Sequence, residues 1–154
     1  MPGGELEPLL GTSNFRVLIG GEELGFCEVT RLTSETDLAA PLADRAHRFE
    51  TVVLRRALTR STDLYDWRRR IMGGTEDRRD ITIHQLEGPT GPIANSWRLV
   101  KAWPCRWSGP AFDARESAVA FEELEVVFDD LLWQAGPAKP RAHRTRSRTT
   151  RQGD

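Results

Sequence analysis

Apolar and polar residues alternate along several short stretches of the chain, which is the pattern of half-buried β-strands. Phe15 opens such an alternation in residues 14–20, and a second apolar stretch, 25–33, follows a short turn that begins with two glycines. These two stretches therefore predict a β-hairpin. The same pattern predicts further strands at 49–58, 80–86, 93–103 and 118–131.

Tryptophans mark the longest of these stretches and the residues after it. Trp97 and Trp103 fall on one face of the predicted strand, and Trp107 follows a Pro-Cys pair. Because proline lacks a backbone N–H, Pro104 predicts the point where the strand leaves its ladder. The run that follows is rich in turn formers. The pattern predicts a bend in the chain.

One segment, 62–72, has the period of a helix. Leu64, Trp67 and Ile71 are spaced so that they form one apolar stripe. A helix this short is not stable alone, so the stripe is expected to pack on a sheet. The predicted core takes large apolar residues from the helix and from the strands: Phe15, Leu64, Trp67, Ile71, Trp97, Trp103, Trp107 and Phe128.

Together these elements predict a mainly β fold, a small antiparallel β-barrel or sandwich of six to seven strands with one α-helix packed on one side. The domain is expected to span 14–134. A flexible N-terminal arm, 1–13, precedes it, and a basic, disordered tail, 135–154, follows it. Residues 34–47 have neither period and contain Pro41, so they are predicted to form a long loop with a functional role.

Composition and charge narrow the class of protein. At 154 residues the chain suits a single soluble domain, and no apolar run is long enough to cross a bilayer. The net charge of −1 hides an asymmetry, since residues 139–154 carry +5 and the rest carries −6. Cys27 and Cys105 lie far apart without CxxC spacing, which favours two reduced thiols over a disulfide or a zinc site.

The motifs of catalysis are missing from the sequence. There is no phosphate-binding glycine motif, and His47, His84 and His143 do not have the spacing of metal ligands. Glu123 and Glu125 share one face of a predicted strand and are interpreted as part of a solvated or interfacial acidic stripe, rather than as an acid–base pair. The sequence therefore predicts no catalytic, cofactor-binding or metal site, and a protein that is not an enzyme.

A series of motifs nevertheless occurs in a recognisable order. It runs FRVLIGG, GFCEVTRL, TVVLRRALT, LYDWRRRI, RRDITIHQLE, WRLVKAWPCRW, FDA and VAFEELEVVFDDL. In order and spacing, this series resembles the tail tube proteins of contractile phage tails and of phage-tail-like contractile injection systems. These proteins are related in fold to the tube protein of type VI secretion. The resemblance covers residues 14–132.

The resemblance implies a structural protein without a cofactor. Members of this family form hexameric rings whose strands join between subunits around a lumen, and the rings stack into a hollow inner tube. The implied partners are further copies of the chain and the sheath and baseplate proteins of the same particle, with cargo or DNA only as a passenger in the lumen. The implied location is the cytoplasm during assembly and then a virion or injection particle, without membrane anchoring.

The long loop corresponds in position to the family segment that reaches the adjacent ring. There, two acidic residues alternate with two leucines around a proline, which suits a contact with small apolar anchors and a polar rim. The resemblance therefore predicts an inter-ring contact through Asp37, Leu38, Pro41, Leu42 and Asp44.

Three alternatives remain open at this stage. The basic tail is compatible with a baseplate-proximal paralogue that initiates the tube. A small ligand-binding or enzymatic β-barrel would need converging polar groups at inward positions, where the pattern is mostly apolar. A nucleic-acid-binding module acting through the tail would need stacking aromatic residues, and the tail contains none.

Overall fold

The computed structural model describes residues 9–136, and this part of the chain forms ten β-strands, one α-helix and one short 3₁₀ helix. The strands are β1 (Phe15–Ile19), β2 (Glu22–Leu24), β3 (Glu28–Val29), β4 (Ser34–Thr36), β5 (His47–Phe49), β6 (Val52–Ala57), β7 (Arg79–Leu86), β8 (Ile93–Ser108), β9 (Phe121–Val127) and β10 (Asp130–Ala135). Helix α1 (Asp63–Met72) follows β6, and the 3₁₀ helix is Leu42–Asp44. Most of the predicted N-terminal arm and nearly all of the predicted tail lie outside the described residues.

All strand pairs are antiparallel, and the large sheet has the order β2-β1-β7-β8-β9-β6-β3, with β10 also paired to β8. The first half of β8 lies between β7 and β10, whereas its second half pairs with β9. β8 therefore belongs to two half-sheets, β2-β1-β7-β8-β10 and β8-β9-β6-β3. The prediction of a mainly β, antiparallel, sandwich-like fold with one helix is confirmed, although the sheet does not close into a barrel.

β8 runs through Pro104 without ending there, contrary to the prediction. It bends at Lys101, whose φ is 53° and whose N–H donates to the Asp80 carboxylate over 3.0 Å. Between Leu99 and Ala102, β8 carries one residue more than β7, which is a β-bulge. The bulge reverses the alternation, so that Ala102 and Pro104 face the core and Trp103 is turned away from it.

The first hairpin is shorter than predicted. Gly20 and Gly21 have φ values of 59° and 84°, and these two residues form the whole turn, so the second strand begins at Glu22. The stretch 25–33 contributes only β3, which pairs with β6 and not with β1. The predicted strands 49–58 and 118–131 are each interrupted, because the chain changes pairing partner within them.

Helix α1 packs on the sheet through the predicted stripe. Leu64 and Trp67 are buried, and Ile71 is half-buried against the same cluster. The Trp67 indole N–H donates to the Asp77 carbonyl over 2.8 Å, and the Arg79 guanidinium lies 4.7 Å from the centre of its ring. The helix is therefore fixed by burial and by polar contacts at its inner face.

The eight predicted core residues do not all lie in the core. Leu64, Trp67 and Phe128 belong to the buried cluster, and Phe15, Ile71 and Trp107 pack against it while partly exposed. Trp97 and Trp103 are half-buried and lie outside the cluster. Trp97 stacks on Trp133 near the edge of the sheet, and the bulge in β8 turns Trp103 outward.

A buried charge cluster joins two strands to the start of the helix. The Arg56 guanidinium binds Glu122 over 3.2 Å and also binds Asp63. Trp107 donates its indole N–H to the second Glu122 oxygen over 3.1 Å. Although burial favours the neutral form of Asp63, the hydrogen bond and positive charge of Arg56 hold the pKa of this carboxyl below its ordinary value. Glu122 is thus a buried carboxylate, and both of its oxygens have hydrogen-bond donors.

Candidate assembly surface

The predicted loop 34–47 is largely an ordered hairpin. β4 and β5 pair with each other through three residue pairs and with no other strand of the described chain. Their connection, residues 37–46, contains the 3₁₀ helix and is called the hairpin tip below. All five residues predicted to form an inter-ring contact lie in it, which places them together: Asp37, Leu38, Pro41, Leu42 and Asp44.

The hairpin tip displays apolar side chains on a fixed backbone. Leu38 and Leu42 are 73% and 80% exposed, and Asp37 and Asp44 are exposed beside them. The Asp37 N–H donates to the Ala46 carbonyl over 2.9 Å, and the Asp37 carboxylate accepts the Ala39 N–H over 2.9 Å. Two exposed leucines and two exposed carboxylates therefore lie together in a segment that pairs with no other strand of the described chain.

A second exposed feature is the edge strand β10. It pairs with β8 on one side, and no described strand lies on its other side. Leu132 and Trp133 are 42% and 67% exposed, and the Trp133 indole N–H donates to the Asn95 side chain over 2.9 Å. A six-residue edge with open backbone groups and apolar side chains is a template for pairing with another chain.

The second half of β8, 103–108, pairs with β9 on one side only, and Arg68 of α1 binds a carbonyl on its other side. The edges formed by β2 and β3 are better protected than β10. β2 and β3 have three and two residues, and β2 carries Glu22 and Glu23. Very short edge strands and charged side chains discourage edge-to-edge pairing. Sequence reasoning missed β10 as a separate strand, although the run Leu131-Leu132-Trp133 is an apolar signal at the end of the predicted domain.

The cavities carry little sign of catalytic chemistry. A cavity of about 570 Å³ opens between β1, β7 and the segment around β3, and much of its lining is apolar, including Phe15, Val29 and Trp97. Within residues 9–136, no three His, Cys, Asp or Glu side chains are grouped as metal ligands would be. His84 bonds Ser96 over 2.6 Å on the outer face, and burial, followed by the charge of Arg16, lowers the pKa of its ring.

Helix α1 is too short to cross a membrane, and the described part of the chain has no other α-helix. Among protein families, the sequence model of the family described as T4-like virus tail tube protein gp19 matches residues 11–132. No curated protein sequence matches the chain at a significant level.

Solved structures share the fold. A chain of the sheath-tube complex of an extracellular contractile injection system, PVC, in the extended state is 23% identical, with a TM-score of 0.69, over 84% of this chain and 94% of that one. A chain of the anti-feeding prophage baseplate is 16% identical, with a TM-score of 0.69, over 84% and 98%. Hcp1 from Flavobacterium johnsoniae is 13% identical, with a TM-score of 0.60, over 80% and 96%.

Proposed function

The chain belongs to the family of the T4-like virus tail tube protein gp19, and we propose from this premise that it is a structural subunit of the inner tube of a contractile tail or injection system. In this proposal, copies of the chain form hexameric rings, and the rings stack into a hollow tube inside a sheath and on a baseplate. The observation that carries the proposal is the family match over residues 11–132.

The surface of the described chain supports ring formation. β10 offers an unpaired six-residue edge, and a neighbouring subunit that added a strand there would satisfy its backbone groups and cover Leu132 and Trp133. A heterologous contact of this kind produces a ring when the rotation between subunits closes. Negative-stain microscopy and native mass measurement of the purified chain, alone and with sheath and baseplate proteins, test the proposal. A stable dimer under all assembly conditions would refute it.

Replacing Leu132 with lysine is expected to leave the subunit folded and to abolish rings. Leu132 points outward at the edge, so a charge there costs the fold little but opposes edge pairing, as lysines do on natural edge strands. Val119→Lys is the matched control, because Val119 is also exposed, at 67%, but lies in the loop before β9. Native mass measurement should give monomers for Leu132→Lys and rings for Val119→Lys. Rings from both variants would exclude β10 as the ring contact.

Ring stacking is assigned in this proposal to the hairpin tip. The double variant Leu38→Ser and Leu42→Ser is expected to keep its circular dichroism and its rings, because both leucines are exposed in the single subunit. It should lose tube growth, since the apolar anchors of the contact are gone. Microscopy of variant particles measures tube length. Full-length tubes from this variant, or from a chain with a shortened tip, would point instead to the N-terminal segment as the inter-ring contact.

A second candidate is the initiator at the baseplate end of the tube. The basic segment 139–154 favours it. The two roles differ in self-propagation: a main tube subunit adds rings to its own rings, whereas an initiator stops after a fixed number. Tube-length distributions from the purified chain distinguish them.

A further inference from the structure

The outer side of helix α1 and the adjoining second half of β8 form a small cationic cavity. Its volume is about 280 Å³, and its lining combines aromatic, apolar and basic side chains: Tyr65, Arg68, Arg69, Met72, Cys105, Arg106 and Trp107. Tyr65 and Trp107 meet edge to face, with ring centres 5.0 Å apart, and Tyr65 and Met72 are 41% and 58% exposed. This feature is called the helix-side cavity below.

No carboxylate lines the helix-side cavity, although three arginines do. Eight of the fifteen arginines within residues 9–136 form ion pairs, and Arg68, Arg69 and Arg106 are among the seven that form none. Arg106 also lines a second cavity, which contains Glu123 and Glu125. Arg68 donates to the Pro104 carbonyl over 3.4 Å. The cavity thus combines apolar side chains with cationic ones. A ligand that matches it should present an apolar group with carboxylates beside it.

The hairpin tip carries two exposed leucines and two carboxylates, with one arginine, Arg45, whose side chain donates to the Ala40 carbonyl within the tip. We propose that the helix-side cavity of one subunit receives the hairpin tip of a second copy, with Leu38 or Leu42 packed against the Tyr65–Trp107 pair and with Asp37 and Asp44 facing the arginines. The inference deepens the proposed function and rests on it, since it names the receptor of the stacking contact. An acidic apolar knob and a cationic apolar cavity are complementary in both charge and polarity.

Size and position agree with a contact between copies. Cavities of about 150 Å³ hold benzene, which is bulkier than a leucine side chain, so the helix-side cavity has room for one. The β4–β5 hairpin comes directly before β6 in the chain, and α1 comes after the end of β6. The six residues of β6 separate these points by about 20 Å. A knob and a receptor on different parts of one subunit make a heterologous contact, which can propagate as an open stack.

Cysteine cross-linking tests the pairing in assembled tubes. The full chain would carry Leu42→Cys and Met72→Cys, with Cys27→Ser and Cys105→Ser to remove the native thiols. Oxidised tubes should give a ladder of covalent oligomers on a non-reducing gel, whereas dispersed subunits should give monomers. The matched control pairs Leu42→Cys with Val119→Cys, because Val119 is at least as exposed as Met72, at 67% against 58%, but lies outside the cavity. This control should give no ladder.

Charge exchange provides a second readout that needs no cysteine. Arg69→Glu with Arg106→Glu should abolish long tubes while rings persist, and so should Asp37→Lys with Asp44→Lys. Combining all four substitutions should restore tube growth. Failure of the combination to restore long tubes would overturn the pairing.

The outcomes separate this inference from the proposed function. Tubes that form without a cross-link, and in which a maleimide labels Met72→Cys as fast as in dispersed subunits, overturn only the receptor assignment. They would leave the cavity open to another protein of the particle. Absence of tubes from the unmodified chain under all assembly conditions overturns the proposed function and this inference with it.

Discussion

Arg56→Met is expected to lower the free energy of unfolding by about 3–5 kcal/mol, the cost of removing one partner from a buried ion pair. Methionine keeps much of the volume of the arginine stem but leaves the Glu122 carboxylate, whose side chain is only 2% exposed, without a cation. The Asp63 carboxylate at the start of α1 loses the same partner. Urea or guanidinium unfolding monitored by tryptophan fluorescence measures the change.

The neighbouring arginine is the natural control. Arg55 lies on the same strand but points outward, with its side chain 37% exposed, and its contacts to Glu28 and Glu123 are each 3.7 Å. Surface pairs of this kind contribute about 0–1 kcal/mol, so Arg55→Met should lower stability far less. If both variants lost the same free energy of unfolding, burial would not explain the contribution of the Arg56 ion pairs to stability.

Trp67→Ala is expected to cost about 3–5 kcal/mol, as large-to-small substitutions in a packed core do. The ring is fully buried at the interface of α1 with the sheet, so its removal leaves a cavity and also frees the Asp77 carbonyl that it binds. Loss of this anchor should detach the helix, because its apolar stripe is too short to hold it alone. Denaturant unfolding measures the loss of stability.

Met72→Ala is the control, because it also replaces a large side chain of α1 with alanine. It therefore shares the change in helix propensity and side-chain size but removes no buried side chain. Met72 is 58% exposed, so its removal should change stability by under about 1 kcal/mol. A loss under about 1 kcal/mol for Trp67→Ala as well would contradict the packing of the stripe on the sheet.

Sequence patterns predicted the elements whose signals are local. The α1 stripe and the alternation in β1 and β7 are set by residues close together in the chain, and the structure has them at nearly the predicted bounds. The prediction that the strand leaves its ladder at Pro104 was wrong. The second half of β8 has a neighbouring strand on one side only, so a proline there can lack its N–H without losing a hydrogen bond of the sheet. The Pro104 carbonyl on that strand is contacted by Arg68 from the helix. Local pattern does not reveal whether a strand is paired on both sides.

The charged core could not be derived from spacing alone. Glu122 has the same parity as Leu124, which was a signal that it points inward, but a buried carboxylate needs a partner. That partner, Arg56, lies 66 residues away in the sequence and becomes a neighbour only through the β6–β9 register. The same contrast holds for the proposed assembly surfaces. The residues of the hairpin tip were predicted through the family resemblance. The helix-side cavity could not be predicted, because it combines residues from α1 and β8 that only the fold brings together.

The sharing of β8 between two half-sheets has a mechanical consequence. At Lys101 the backbone of β8 passes from one half-sheet to the other, and the β9–β10 connection at Phe128 and Asp129 passes between them alongside it. The chain also crosses between the half-sheets from β2 to β3 and from β6 through α1 to β7, so a force that separates the half-sheets is borne by covalent backbone as well as by hydrogen bonds. In the stacked tube proposed above, this arrangement would keep the two half-sheets of each subunit together when load passes between rings.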